Sequence, residues 1–388
     1  MGNLIKLNSI IILIIMGIIV ITSCVEFALP DTTKPTVYII TPIDGDTLSN
    51  LTTISINIED ASEILKVDIF IDRHLIATIE EEPWDYDWQS SRYSDGLIHN
   101  INVEATDVAE NIGVSETISV IIPEIFSGDL VLLTGGTFEM GDGWNAGYDD
   151  EIPLHQVTLS SFEMSTTEIT NQQYLDYINE SLLLNETIIY EDQITGLWKD
   201  NYYTFLELDD LDSKFIQIDG ELSVLSGYDN FPVVNVSWFG ATSFAEYYGY
   251  GLPTEAQWEF AARGISSDAD DKWSGTSLEE ELSNYSWYSE SSNGYINEVA
   301  TKLPNINGLY DMSGNAWEWC NDWHDGYSAE HQNNPQGPEY GFHRILRGGC
   351  YLNSQYALRC SNRGLENPNF TYIFNSFRIV RSANNHQY

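Results

Sequence analysis

The chain has 388 residues, 43% of them hydrophobic and 13% aromatic, which leaves room for two or three domains with sizeable cores. Sixteen Lys and Arg against 59 Asp and Glu give a formal net charge of −43. The acids are scattered without an acidic tail and no basic patch faces phosphates, so nucleic acid is excluded as a partner, and the charge suits a solvated surface that meets salt or divalent cations.

Lys6 supplies a short positive start, and residues 10–21 are almost wholly apolar. A run of about a dozen falls short of the ~20 residues of a membrane span and has the length of a signal-peptide core. It ends Ile21-Thr22-Ser23-Cys24. Small residues before a cysteine, directly after an apolar run, resemble a bacterial lipobox. That resemblance implies a lipoprotein signal peptide over residues 1–24, cleavage before Cys24, and lipidation there. The acyl chains would anchor the protein by burying methylenes at ~0.8 kcal/mol each. The expected address is extracytoplasmic, on a membrane of the cell envelope or surface. An ordinary cleaved signal or a short uncleaved anchor exports the chain too. Beyond Cys24 only Cys320, Cys350 and Cys360 remain, an odd count that leaves at least one thiol unpaired. There is no CxxC, no HExxH and no other histidine pair at ligand spacing.

Residues 25–35 read as a tether. From 36 to 122 short alternating runs follow one another: Val37-Tyr38-Ile39-Ile40, Ile54-Ser55-Ile56-Asn57-Ile58 and Lys66-Val67-Asp68-Ile69-Phe70-Ile71. These are half-buried strands, with turns at Asp44-Gly45-Asp46 and Ser94-Asp95-Gly96, and they predict a β-sandwich. The texts Trp84-Asp85-Tyr86-Asp87-Trp88 and Val103-Glu104-Ala105-Thr106-Asp107 resemble bacterial immunoglobulin-like repeats, which implies a spacer or adhesive module. Residues 123–129 read as a linker. Three helices are then expected. Thr170 caps the first with Gln173 as a capping box, and Tyr174, Tyr177 and Ile178 face inward. Ser237 caps the second, with Ala241, Phe244, Ala245 and Tyr248 as its stripe and Gly249 at its end. Thr254 and Gln257 box the third, which buries Trp258, Ala261 and Ala262 before Gly264.

The remaining text comes in ordered blocks. They are Gly135-Gly136-Thr137-Phe138-Glu139-Met140-Gly141, Glu168-Ile169-Thr170-Asn171, and Pro232-Val233-Val234-Asn235-Val236-Ser237-Trp238. Leu252-Pro253-Thr254-Glu255-Ala256-Gln257-Trp258 follows, then Gly308-Leu309-Tyr310-Asp311-Met312-Ser313-Gly314-Asn315-Ala316-Trp317-Glu318-Trp319, Arg347-Gly348-Gly349 and Phe377-Arg378. In this order they resemble the formylglycine-generating enzyme, or sulfatase-modifying factor, family across residues 130–383. The resemblance implies a mixed α+β, C-type-lectin-like domain rich in loops and often stabilised by calcium. The loop from Asp311 to Glu318 offers the oxygen ligands that calcium takes. Carried over from the family, Asp311 and Glu318 would give side-chain oxygens, and Gly314 and Ala316 backbone oxygens. Asn284 and Tyr285 would begin a second calcium site, whose other ligands do not match. A plain pairing of Glu318 with an arginine is the alternative.

Catalysts of the family bind copper(I) with two cysteines five positions apart, just after the Arg-Gly-Gly stretch, and oxidise a substrate cysteine to formylglycine. Soft thiolates suit soft copper(I). Here those positions fall on Asn353 and Leu358. Cys350 and Cys360 lie nearby and are the weak candidates for a relocated pair. A disulfide between two of Cys320, Cys350 and Cys360, or buried free thiols, also fit. A related branch with histidine-bound iron and a helical partner domain finds no counterpart here. The expected function is therefore binding or assembly by a surface-anchored lipoprotein, for example in a secretion, motility or envelope complex, with a protein or glycan partner, structural calcium and no copper. The alternative is an oxidase for sulfatase maturation that uses relocated thiols.

Overall fold

The computed structural model describes residues 31–48, 51–93, 96–199, 201–208, 213–218, 221–264 and 271–383. Cys24, the apolar segment before it, and Ser94 and Asp95 of one expected turn lie outside these. The chain divides into two units, an all-β one ending at Ile121 and a larger one that runs on from Ile122.

In the first unit Thr36–Thr41 pairs antiparallel with Leu51–Glu59, which is joined by Asp85–Gln89 in a three-stranded sheet. The second sheet sets Ile64–Ile71 between His74–Ile79 and Ile98–Asp107. Period-two alternation explains the packing: Val67, Ile69 and Ile71 meet Ile101, Val103 and Ala105, all 1% exposed or less. A sandwich buries each sheet's apolar face against the other. Gly45, at φ +88°, makes the turn at Asp44–Asp46 without a side-chain penalty.

The second unit joins short sheets to three helices. The helices occupy Asn171–Leu183, Trp238–Tyr247 and Glu255–Arg263. Thr170 and Thr254 each accept a hydrogen bond from the amide of the glutamine three residues on, and each glutamine side chain accepts one back. Ser237 Oγ accepts from Gly240 N at 3.1 Å. Each such cap contributes ~1 kcal/mol and fixes where its helix begins. Gly264 ends the third helix in the left-handed region at φ +64°. The helix stripes meet in one aromatic cluster, where Phe244 touches Tyr174, Tyr177, Tyr248 and Phe377 at ring distances of 4.9–5.7 Å.

Two features differ from the sequence reading. Residues 123–129, expected as a linker, are docked. Phe126 is 8% exposed and packs on Phe244, Tyr248 and Tyr250, and Glu124 accepts a hydrogen bond from the Tyr250 hydroxyl. A buried aromatic side chain outweighs the entropy of a free tether. Between the first two helices the chain makes an excursion into strands Thr187–Tyr190, Gln193–Trp198 and Asn201–Glu207 and the hairpin Phe215–Ile218/Glu221–Val224. The functional framework is the sheet of Trp317–Trp323, Arg344–Arg347, Gly364–Glu366 and Asn375–Ser376. It carries Glu318, Arg344 and Arg347 and lies beside Arg378.

Candidate functional site

The third helix starts at Thr254, so Glu255 and Glu259 project one turn apart into the interior. Arg363 meets Glu255 with two bonds of 2.7 and 2.8 Å, and Arg347 reaches Glu259 at 2.5 Å and the Cys360 carbonyl. Burial alone would push the Glu255 carboxyl up, but Arg363 and Arg347 hold it below the usual carboxylate range. Glu151 is held low against its burial by Arg359, at 2.6 and 2.7 Å. These planar, two-pronged pairs satisfy charges that water cannot reach.

A second acid group is only half satisfied. Glu318, fully buried, accepts from Arg378 at 2.6 and 2.7 Å and from Trp258 Nε1 at 2.7 Å. Asp311 takes φ +57°, a conformation Asp tolerates better than most residues, and its Oδ2 accepts from Ala300 N at 2.8 Å. Its Oδ1 is buried with no hydrogen-bond partner among the described residues. Glu168, 0% exposed, has no partner for either oxygen. Burial first, then the charges of Asp311 and Glu318, push the Glu168 carboxyl well above the usual range. Burial raises Asp311 to about 6.

Arg378 is near all three acids and Lys302 is near Asp311, and three of the acids' oxygens have no hydrogen-bond partner among the described residues. A hard cation takes oxygen ligands of this kind, and an unsatisfied buried oxygen costs ~1–3 kcal/mol without one. Gly314 and Ala316 lie on the same turn, Gly314 at φ +92° with its amide donating to the Gly348 carbonyl at 2.9 Å. A side chain at Gly314 would run into the Trp287 carbonyl. Glu168 belongs to a motif block, yet the sequence gives no sign that it feels the charge of Asp311. An acid directly before the buried Ile169 is the only hint. Asn284 and Tyr285 sit instead on the short helix Leu282–Tyr285, where the Asn284 carbonyl accepts from Leu303 N at 2.9 Å.

Cys320 and Cys360 lie near the arginine pairs, and Arg347 donates to the Cys360 carbonyl. Cys320, Cys350 and Cys360 are each 3% exposed or less, and all three are free, the buried-thiol alternative to a disulfide among them. Burial raises the Cys350 thiol, lifts Cys360 to about 12 and Cys320 well above the ordinary thiol range. A thiol that keeps its proton is a poor nucleophile and a poor copper ligand. At the positions of the expected thiol pair, Asn353 Oδ1 accepts from Cys350 N at 2.9 Å. Leu358 is 0% exposed and packs with Trp273, Leu282 and Tyr288. These residues do not fit a two-thiolate copper site.

A model of the sulfatase-modifying factor enzyme 1-like domain matches residues 124–383. The chain belongs to the sulfatase-modifying factor family. A bacterial Ig domain matches residues 35–106. Among relatives, the serine/threonine-protein kinase pkn1 of Chlamydia pneumoniae is 36% identical over 268 residues, covering 68% of this chain and 39% of its own length. The chain therefore spans about two fifths of that kinase-named relative. The formylglycine-generating enzyme of Streptomyces coelicolor is 30% identical over 256 residues, 57% of this chain and 78% of that protein. The inactive C-alpha-formylglycine-generating enzyme 2 of Bos taurus is 28% identical over 246 residues, 58% and 77% respectively. In this sulfatase-modifying factor domain Glu168, Glu255, Asp311, Glu318, Arg347 and Arg378 come from the ordered sequence blocks.

Proposed function

We propose that the sulfatase-modifying factor domain is a non-catalytic binding scaffold for a protein or glycan partner, displayed from a membrane of the cell envelope and serving assembly or recognition there. The observation that carries this is Leu358. At a position where the family's oxidases need a thiolate, a side chain with no ligand atom is sealed in an apolar cluster. The bovine relative named inactive agrees with such a role. The alternative, an oxidase with Cys350 and Cys360 as substitute thiols, requires deprotonation that burial opposes at both. Anaerobic copper(I) titration against a chromophoric competitor tests it. The expected result is weak binding that Cys350→Ser and Cys360→Ser leave unchanged. Tight one-to-one binding lost in both variants would overturn the reading.

Structural calcium at Asp311 belongs to the same proposal, with Glu168 and Glu318 as acids and Gly314 and Ala316 as carbonyl donors. Calcium there would neutralise acids that Arg378 alone does not balance. Asn284 and Tyr285 would begin a second, separate calcium site. The anchor is proposed from residues 10–24, and no helix among the described residues is long and apolar enough to cross a membrane. Cys24→Ala is expected to move the protein from the membrane to the soluble fraction or to block processing. Unchanged processing and membrane fractionation would contradict the anchor. The immunoglobulin-like unit then acts as a spacer.

A further inference from the structure

A cavity of about 320 Å³ in the second unit borders neither the acid group nor the thiols. Where strand Gly136–Met140 pairs with His155–Leu159, the register sets Met140 opposite His155, and both residues line the cavity. Asp322 reaches it from strand Trp317–Trp323, and the loop through Pro335, Gly337 and Pro338 forms another wall. Gly337, at φ +69°, lies against the carboxylate: a Cβ there would come to 3.0 Å from Asp322 Oδ1.

Among the described residues the charged lining is Glu255, Asp322, Asp325 and Arg363. Arg363 is already committed: it donates to both Glu255 oxygens and to the carbonyls of Asp150 and Asp325. Asp322, 5% exposed, has no such partner. Its Oδ2 accepts from Glu255 N, but its Oδ1 has no hydrogen-bond partner, and no lysine or arginine is in ion-pair contact with it, among the described residues. Burial, then the charge of Glu255, leaves the carboxyl raised to about 7, although Arg344 and Arg363 pull the other way from farther off. His155 adds an acceptor. Its Nδ1 lies 3.1 Å from the Pro153 carbonyl, which can only accept, so the neutral ring carries its proton there and its lone pair on Nε2. Nε2 has no hydrogen-bond partner among the described residues.

Unmet acceptors in a buried, acid-lined cavity suit a ligand that brings positive charge and N–H donors together. A quaternary cation brings no donor and relies on aromatic faces, and the rings of Tyr327 and Trp323 already hold Arg363 and Arg344 at 4.1 and 3.6 Å. A guanidinium pairs best with both oxygens of one carboxylate, and Asp322 has one to offer. An ammonium is compact and turns its three N–H bonds freely. Met140, Ala256, Pro335 and Pro338 give apolar wall to the methylenes that carry it.

We propose that this cavity binds a primary alkylammonium group, with Asp322 as its counter-charge and His155 Nε2 as a second acceptor. The lysine side chain of a partner protein and a free aliphatic amine share this chemistry. The proposal rests on the binding-scaffold reading and names the group on the partner that the scaffold holds.

The test titrates the purified full chain calorimetrically at about pH 8, where Asp322 is ionised. The probes are butylamine, a peptide with one lysine, the same peptide acetylated on that lysine, and its arginine counterpart. Binding of butylamine and of the lysine peptide is expected, with affinity falling tenfold or more on acetylation and in Asp322→Asn. Tighter binding of the lysine peptide than of butylamine supports the site with a protein as occupant, and the reverse order supports it with a free amine. A melting curve checks the folding of Asp322→Asn, and the acetylated peptide tests the proposal on the wild-type chain whatever that variant does. No binding of either amine, equal affinity for the acetylated peptide, tighter binding of the arginine peptide, or unchanged affinity in a folded Asp322→Asn overturns the proposal. Failure of the broader reading would show separately, as oxidation of a cysteine peptide by the same preparation.

Discussion

Four buried acids in the lectin-like domain have an arginine in hydrogen-bond contact: Glu151 with Arg359, Glu255 with Arg363, Glu259 with Arg347 and Glu318 with Arg378. Removing one partner of such a pair strands the other and costs ~3–5 kcal/mol. Asp322 is different. It is 5% exposed, and its Oδ2 accepts from Glu255 N at 2.9 Å. Burial, then the charge of Glu255, lifts its pKa from 3.8 to about 7. The folded state therefore holds this proton more tightly than the unfolded chain. Its contribution to stability is full below about pH 4 and is lost as pH rises through about 7. Asp322→Asn keeps the acceptor and removes the titration. Chemical denaturation is expected to show the wild type losing stability relative to this variant between about pH 4.5 and 7.5, by an amount on the order of a few kcal/mol. Parallel pH profiles would contradict the assignment.

At the scale of elements, the helix starts were readable because a capping box is local: a threonine and a glutamine three residues on decide it without help from the rest of the chain. The acid group was half readable. Asp311 and Glu318 belong to one turn and strand, but Glu168 arrives from the segment before the first helix, and no sequence spacing records that meeting. Two negative groups and an unpartnered third acid make this turn the element most sensitive to a cation. A ligand that binds only the folded state stabilises by about 2.7 kcal/mol at a hundred times its Kd. Excess chelator is therefore expected to lower Tm, and Glu168→Gln to remove most of that response by taking away a charged ligand. An identical melting curve with calcium and with chelator would count against the site. The excursion between the first two helices was not readable as sheet. Its strands pair with one another and carry little alternating pattern beyond Thr187-Ile188-Ile189-Tyr190, and Trp198 packs on Tyr203, Trp238 and Phe239, contacts no spacing records.

At the scale of the whole molecule, the order of modules was legible because each announces itself by a different period: two in the sandwich, helical spacing and fixed motif blocks after it. The docking of Phe126 was not, since one aromatic residue in a short polar stretch looks the same whether it packs or hangs free. The burial of Leu358 beside Trp273 and the free state of the three cysteines needed the fold. The account turns on whether this domain performs the family's chemistry. The direct measurement is mass spectrometry of a sulfatase-type cysteine peptide after incubation with the full chain, copper(I), oxygen and a reductant. The account predicts recovery of the unmodified cysteine peptide, with no aldehyde above a protein-free control. Conversion of the cysteine to formylglycine, lost in Cys350→Ser or Cys360→Ser, would contradict it and identify the thiols that replaced the missing pair.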